Sequence, residues 1–439
     1  MKILRLRAYC YPENIAASAM TEDIEEEYVR RGIFCISYTP MPSRGVSDEV
    51  RRRYKKIKYE ENFDGHVIVH RFPMIKEGTS IVQKTLKYLL CTIVEYFKGI
   101  SERDIDLMLC SSTPPTQGML AVMVAKKLGR KYGRKVPFVY NLQDIFPDSL
   151  VGTGLAKKGG ILWKIGRGIE NFTYRNADKI IVISEDFKRN IMAKGVPEEK
   201  IEVIYNWVDE NAVVDIPREQ NKLFDKYNLD RSKFYIEYSG NIGLTQNMDM
   251  LMEVMKELKD SYPDIGLVLV GEGVYKKQVE EIVARYGLTN VTMLPFQPYE
   301  DISHVFSLGN VGLVISKPGV GANSVPSKTW SIMSASRPVL ANFDPNELQG
   351  IMEGSHPFSE EGKPCGIFTK AGDKEAFKAA ILRLYENRAL CLEYGRNGRE
   401  FILRNLTKEV GTGKYVEVIR GFAHDDDNDN DDDDEVKNR

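Results

Sequence analysis

Short apolar, β-rich runs alternating with helical patterns constrain this chain more than any other feature. The runs fall at 33–39 (IFCISYT), 67–72 (VIVHRF), 105–110 (IDLMLC), 136–142 (VPFVYNL), 179–183 (KIIVI) and 201–205 (IEVIY). Helical patterns lie between them, near 17–31, 80–98, 115–132 and 185–194. Strands this apolar are buried on both faces, which requires a parallel sheet covered by helices on each side. The opening MKILRLRAYC reads as a further strand, interrupted by Arg5 and Arg7; an edge position or a place in a site would account for them. Near 206–218 the pattern breaks, at Asn206-Trp207-Val208-Asp209 and Pro217. A second series follows, with strands at 234–238, 266–270, 290–294, 311–315, 338–341 and 365–369. Its helices fit near 247–261, 274–286, 325–336 and 373–403. We therefore expect an α/β protein of two Rossmann-like units, each of about 200 residues. The units are 1–208 and 209–405, followed by a helix over 406–422 lying back across the first unit and an acidic tail at 423–439.

Charge and composition exclude several classes. Lysine plus arginine total 61 and aspartate plus glutamate 63, so the net charge of −2 gives no argument for a nucleic acid partner. The balance is uneven along the chain: residues 1–210 hold 34 basic and 27 acidic groups, and the tail holds 2 and 9. The run Asp425 to Glu435 cannot bury a core and should be disordered. The N-terminus shows no apolar signal region. The longest uncharged stretch within 80–98, Tyr88 to Val94, is 7 residues, against about 20 for a bilayer span. Six scattered cysteines without a CxxC read as reduced core thiols in the cytosol. The five histidines lack metal spacing, and Asp104-Ile105-Asp106 precedes a strand and reads as a cap, so no metal is expected.

Open α/β sheets bind ligands at the carboxyl ends of their strands. Two such units would face each other across a cleft, which favours a two-substrate enzyme over a structural protein. The loops at those ends carry the candidate chemistry. Gly240-Asn241-Ile242-Gly243 lets a backbone approach an anion, or is simply a tight turn. Gly271-Glu272-Gly273 places a carboxylate between two glycines, or is likewise a turn. Pro295-Phe296-Gln297-Pro298-Tyr299 offers a stiff loop for a nucleobase edge, or a connection with Phe296 in the core. Lys317-Pro318-Gly319-Val320-Gly321, then Val325-Pro326-Ser327-Lys328, combines glycines, two lysines and a helix start into an anion site. Lys328 opens its helix, where a cation opposes the dipole, so it needs an anionic partner or solvent. In the first unit, Tyr11-Pro12-Glu13-Asn14 and Asn141-Leu142-Gln143-Asp144-Ile145-Phe146-Pro147-Asp148 bring carboxylates and amides to the cleft; helix capping by Asp148 is the plain alternative.

These motifs, in this order, resemble the retaining GT-B glycosyltransferases of family 4, over almost the whole chain except the tail. The matching segments are YPENIAAS at 11–18, DIFPDSLVGTG at 144–154, NADKIIVISEDFKRNI at 176–191, YNWVD at 205–209, YSGNIGLTQNMD at 238–249, VGEG at 270–273, LPFQPYEDI at 294–302 and SVPSKTWSIMSASRPVLA at 324–341. The likeness is strongest to bacterial enzymes of capsule, O-antigen and exopolysaccharide synthesis, N-acetylfucosaminyl transferases among them. The sequence departs from the family where an arginine and a lysine usually neutralise the donor diphosphate: Asn241 and Gln246 stand there. The usual glutamate pair falls on Asn323 and Ser331, and the N-terminal glycine pair is replaced by Ala16 and Ala17. Lys317 and Lys328 are candidates for the missing charge, and Glu347 for the ribose carboxylate.

The resemblance implies transfer of a sugar from a nucleotide donor, UDP by preference, to a glycan or lipid-linked acceptor, without a cofactor. It implies Asp144 and Lys328 as catalytic residues. Donor binding would fall to Gly240, Asn241, Gly243, Gly271, Glu272, Gly273, Gln297, Pro298, Lys317, Ser327 and Glu347, and the acceptor side to Glu13, Asn14, Gln143 and Asp148. A sugar-nucleotide epimerase, a non-catalytic nucleotide-sugar binder and an NAD-dependent enzyme remain alternatives; the absent GxGxxG speaks against the last. Basic runs at Arg51 to Lys58 and Lys126 to Lys135, with Leu86, Leu89, Leu90, Ile93 and Val94 beside Lys84 and Lys87, suggest peripheral contact with the inner face of a cell membrane. A solvated face over an ordinary core helix is the plain alternative.

Overall fold

A computed structural model describes residues 1–13, 18–78, 80–152, 157–321 and 324–423. Asn14, Ala16, Ala17, Asn323 and the acidic run Asp425 to Glu435 lie outside the described residues. The first unit holds β1 (Lys2–Leu6), β2 (Phe34–Pro40), β3 (Tyr59–Asn62), β4 (Val67–Phe72), β5 (Leu107–Ser111), β6 (Phe138–Leu142), β7 (Lys179–Val182) and β8 (Ile201–Val203). Its helices are α1 (Ser18–Arg30), α2 (Asp48–Tyr54), α3 (Ile81–Ser101), α4 (Gln117–Tyr132), α5 (Asp148–Gly152), α6 (Ile161–Asn176) and α7 (Glu185–Met192). The second unit holds β9 (Phe234–Ser239), β10 (Ile265–Val270), β11 (Val291–Leu294), β12 (Val311–Ile315), β13 (Val339–Phe343) and β14 (Gly366–Lys370). Its helices are α8 (Lys222–Lys226), α9 (Met248–Ser261), α10 (Lys276–Tyr286), α11 (Ile302–Phe306), α12 (Lys328–Ser334), α13 (Glu347–Glu353), α14 (Lys374–Glu386) and α15 (Arg388–Asn405), with α16 (Lys408–Arg420) last.

The first sheet runs β3-β4-β2-β1-β5-β6-β7-β8 and the second β11-β10-β9-β12-β13-β14. Every pairing is parallel except β3 with β4. The two Rossmann-like α/β units of the sequence reading are thus present. Alternating side chains go to opposite faces of a strand. Leu4 accordingly packs with Met108, Cys110 and Phe138 on one face, and Ile3 with Tyr28, Cys35 and Leu107 on the other. Burial on both sides is why the strands read as unbroken apolar runs. The last helix, α16, packs on α1, with Tyr415, Val416 and Ile419 in the same cluster as Ile3 and Tyr28.

Several elements depart from the sequence reading, which did not foresee the short β3, α2, α5, α8, α11 and α13. The single helix expected over 373–403 is two, because Asn387 leaves the helical region (φ −121°, ψ 84°) and caps α15 by accepting from the Leu390 amide. The 16-residue α6 was not foreseen at all. Its apolar residues Ile161, Leu162 and Ile165 face outward, and glycines at 166 and 168 blur the remaining pattern.

Candidate functional site

Each sheet has one place where the chain reverses its direction of winding. In the second unit β9, β10 and β11 step one way, and β12 then joins the other side of β9. In the first, β1 and β5 are neighbours across the equivalent reversal. Crevices outside the strand ends at such points are where open α/β sheets hold ligands. The two units meet through the same edges. Glu347, at the start of α13 beyond β13, accepts from the Glu185 amide (2.9 Å), and its own amide donates to Asp186 (2.7 Å). Glu185 and Asp186 begin α7 beyond β7. The carboxyl edges of both sheets therefore face each other.

In the second unit, the loops leaving β9 and β10 lie backbone against backbone. Gly240 (φ 135°) donates to Val270, and the Ile242 amide donates to the Glu272 carbonyl (2.9 Å each). A side chain on Gly271 would strike the Gly240 oxygen at 2.0 Å, and one on Gly273 the Ile242 oxygen at 2.1 Å. Those two glycines thus serve the approach of the loops. Gly243 donates to Gln246 Oε1 (3.0 Å), so the position that usually carries a lysine braces the turn.

Lys328 begins α12, as expected, and its ammonium nitrogen stands 3.6 Å from the centroid of the Tyr238 ring. A Cβ at Gly240 would lie 3.1 Å from that nitrogen. Burial lowers its pKa to about 7, opposed by the nearby Glu237. Glu237, fully buried on β9, is itself pushed up to about 8 by burial. No described carboxylate stands within ion-pair range of Lys328. Because α12 has only seven residues, enclosure rather than the helix dipole makes this cation costly. The Lys317 ammonium lies 5.5 Å over Tyr275, and its loop is held by Asp344, which accepts from Gly319 (3.0 Å) and Gly321 (2.7 Å). Asp344 was not singled out from the sequence, because its partners lie 25 and 23 residues away.

Several expected donor contacts have other work. Gln297 Oε1 accepts from Lys226 (3.1 Å), and its amide donates to the Tyr227 hydroxyl (2.8 Å) and the Pro295 carbonyl (2.6 Å). It therefore holds the Pro298 loop from within, while Phe296, which the alternative reading placed in the core, is 65% exposed. Glu272 pairs with Lys276 (2.6 Å) at the surface. Asn241 and Ser327 are exposed. Glu347 Oε2 also accepts from the Tyr205 hydroxyl (3.1 Å), so the proposed ribose carboxylate is engaged between the units. Burial, with Asp186 beside it, raises its pKa to about 7.

In the first unit, Glu13 is buried and accepts from the Ser43 (2.8 Å), Arg44 (2.9 Å) and Cys10 (3.2 Å) amides, which fixes the loop after β1. Asp148 is tied to Arg167 (2.7 Å) and Lys194 (2.9 Å), an ion network joining α5 to α6 and α7. Asp144 remains exposed at the end of β6; its amide donates to Ser112 Oγ (3.1 Å), and desolvation raises its pKa. Gln143 joins Asn141 (2.9 Å) and Asn206 (3.0 Å) in a polar chain within the first unit. That chain borders a cavity of about 380 Å³ at the β1–β5 reversal.

Two family descriptions divide the chain at the same place. Residues 17–212 match Glycosyltransferase Family 4, and residues 219–401 match Glycosyl transferases group 1. A putative colanic acid biosynthesis glycosyl transferase, WcaI of Escherichia coli, is 26% identical over 85% of this chain and 88% of its own length. The putative glycosyltransferase EpsD of Bacillus subtilis is 26% identical over 70% of this chain and 74% of its own. Among solved structures, Anabaena HepE in complex with UDP and glucose aligns with a TM-score of 0.68 at 18% identity, over 95% of this chain and 99% of its own. Sucrose-phosphate synthase from Thermosynechococcus elongatus aligns at 0.72 and 16%, over 96% and 98%. At such identities the structural likeness concerns the fold.

Proposed function

From the premise that this chain is a glycosyltransferase of the GT-B fold, we propose that it moves a sugar from a UDP-sugar to a glycan or lipid-linked saccharide in surface polysaccharide synthesis, with retention at the anomeric carbon. The observation that carries this reading is Lys328: a half-buried cation without a described carboxylate partner, set against the Gly240 loop at the winding reversal of the second sheet. An anion is what such a site lacks, and a leaving diphosphate develops negative charge there in the transition state. The acceptor would enter from the first unit, where Asp144 orients its hydroxyl. The related names WcaI and EpsD, and the UDP held by HepE, support the polysaccharide and UDP choices. A panel of UDP-sugars and lipid-linked acceptors tests the reading: transfer is expected, whereas epimerisation or hydrolysis without an acceptor would replace it.

The membrane part of this proposal rests on a different surface from the run 51–58. Arg51 there is tied to the Pro42 and Met74 carbonyls (2.9 Å each), and Lys87 is buried on Glu77 (2.8 Å) and Ser43 (2.7 Å). The outward stripe is Val82, Leu86, Leu89, Ile93 and Phe97, at helical spacing on α3 and between 47% and 78% exposed. α4 packs against both α3 and α6, and the layer continues outward through Met123, Ile161, Leu162 and Ile165. The acids of α3 and α6, Glu95 and Glu170, are buried, and α4 has none. Exposed Lys84, Lys98, Lys127, Arg130 and Lys164 remain, so a second copy docked on this face would set cation against cation. An anionic lipid surface fits it instead. No described helix is long and apolar enough to cross a membrane. Co-sedimentation with vesicles containing phosphatidylglycerol should occur at low salt and be lost in Ile93→Asp. Absence of binding, or self-association that Ile93→Asp abolishes, would refute the lipid surface.

A further inference from the structure

Arg5 and Arg7 interrupt the first strand with charge, and the donor site does not use them. Both side chains take the same face of β1, toward α1, and both bond Glu25 of α1, Arg5 at 3.1 Å. One carboxylate thus serves two guanidinium groups, and the buried Arg7 Nε has no partner. Arg44 brings a third cation, its guanidinium 5.3 Å from the Tyr9 ring centroid. All three line the cavity of about 380 Å³ at the winding reversal between β1 and β5. Its other polar walls include Thr21, Ser111, Thr113, Asn141, Gln143 and Asn206; among the described residues no aspartate or glutamate lines it. The adjoining cavity beyond Arg7 is lined by Glu22, Glu25, Glu60, Glu61 and Asp64, with Arg7 and Arg71 as its cations. Arg5 and Arg7 thus share one bonded carboxylate, Glu25, while Glu77, which accepts from the Tyr9 hydroxyl (2.7 Å), acts on Arg44 from outside the cavity. Planar guanidinium forks match phosphoryl oxygens in pairs.

We propose that this cavity binds a phosphoryl-bearing part of the acceptor, through Arg5, Arg7 and Arg44, with Gln143 and Asn206 closing its side toward the second unit. The proposal rests on the two-substrate reading above and narrows the acceptor class to one that bears a phosphoryl anion. Such an anion could come from a lipid diphosphate head group or from a sugar phosphate; the recognising chemistry is the same.

The test uses the whole protein with the donor site filled by saturating UDP. Inorganic pyrophosphate is titrated by calorimetry into wild type, Lys328→Met, Arg44→Ala, Arg7→Met and Arg7→Lys, with melting temperature followed for each. Wild type and Lys328→Met should bind one pyrophosphate. Arg44→Ala, whose side chain is exposed, should keep its melting temperature and lose at least tenfold in affinity. Arg7→Met should lose as much, and Arg7→Lys should recover part of it, which a purely structural brace would not show. Farnesyl diphosphate and N-acetylglucosamine 1-phosphate then separate the sources, the tighter one naming the acceptor's anion. Absence of pyrophosphate binding, affinity unchanged in Arg44→Ala and Arg7→Met, or binding of pyrophosphate but of neither organic probe would overturn the proposal. Failure of UDP itself to bind would instead strike the donor reading, and the Lys328→Met titration without UDP would still judge this pocket.

Discussion

In the donor role proposed for it, Lys328 would make donor binding a proton-linked event. In the free protein burial holds its ammonium near a pKa of about 7, and no described carboxylate lies in ion-pair range. A diphosphate against the Gly240 loop would restore the preference for the charged form. The phosphates of a UDP-sugar do not titrate near neutrality, and their charge would hold the neighbouring Glu237 carboxyl, with its pKa of about 8, in the protonated form, so the lysine takes its proton from solvent. At pH 8 the free amine is about nine-tenths deprotonated, and binding should take up about 0.9 proton; at pH 6 it should take up about 0.1. Affinity should therefore fall above pH 7 by up to tenfold per pH unit, about 1.4 kcal/mol. Calorimetry at pH 8 in two buffers of different ionisation enthalpy reads the uptake directly. Lys328→Met should bind weakly at every pH and lose the buffer dependence. Equal heats in both buffers for wild type, or the same uptake in Lys328→Met, would refute the reasoning.

Three further outcomes follow from the same geometry. Asp344→Ala removes the acceptor that holds the Gly319 and Gly321 amides, and should weaken UDP-sugar binding about tenfold while costing about 1–3 kcal/mol of stability in urea unfolding. Asp144→Asn should cut turnover while UDP binding, measured by calorimetry, stays within about twofold, since the role proposed for the residue is at the acceptor. Glu95 is fully buried with its pKa raised to about 8 by burial, against an ordinary 4.5. The folded state therefore holds the extra proton between those values. Its contribution to stability falls by about 1.4 kcal/mol per unit as pH rises through that window. Glu95→Gln should flatten that part of the urea-derived stability profile by the same slope.

The sequence made the architecture readable because parallel strands buried on both faces write themselves as short apolar runs. It hid α6, whose apolar residues Ile161, Leu162 and Ile165 face outward and give no core pattern. The break at Asn387 depends on one backbone conformation that periodicity cannot express. At the site, Lys328 was legible because a cation opening a helix is locally unfavourable. Glu347 was singled out too, but its partners were not visible, because the Glu185 amide and Tyr205 lie 162 and 142 residues away in the other unit. Arg5 and Arg7 announced themselves as misfits in a strand, but their shared partner Glu25 became visible only when α1 was laid across β1. The pairing of Asp148 with Arg167 of α6 and with Lys194 in the turn after α7 was likewise hidden, since both partners are distant in sequence.

The claim that two facing units transfer a sugar between them is tested most directly by proton NMR of the anomeric region during turnover of a UDP-sugar with a lipid-linked acceptor. The account predicts UDP appearing together with a new glycosidic signal that keeps the donor's anomeric configuration, and no change when the acceptor is left out. An inverted anomeric signal, or conversion of the UDP-sugar to its epimer or free sugar without acceptor, would contradict it.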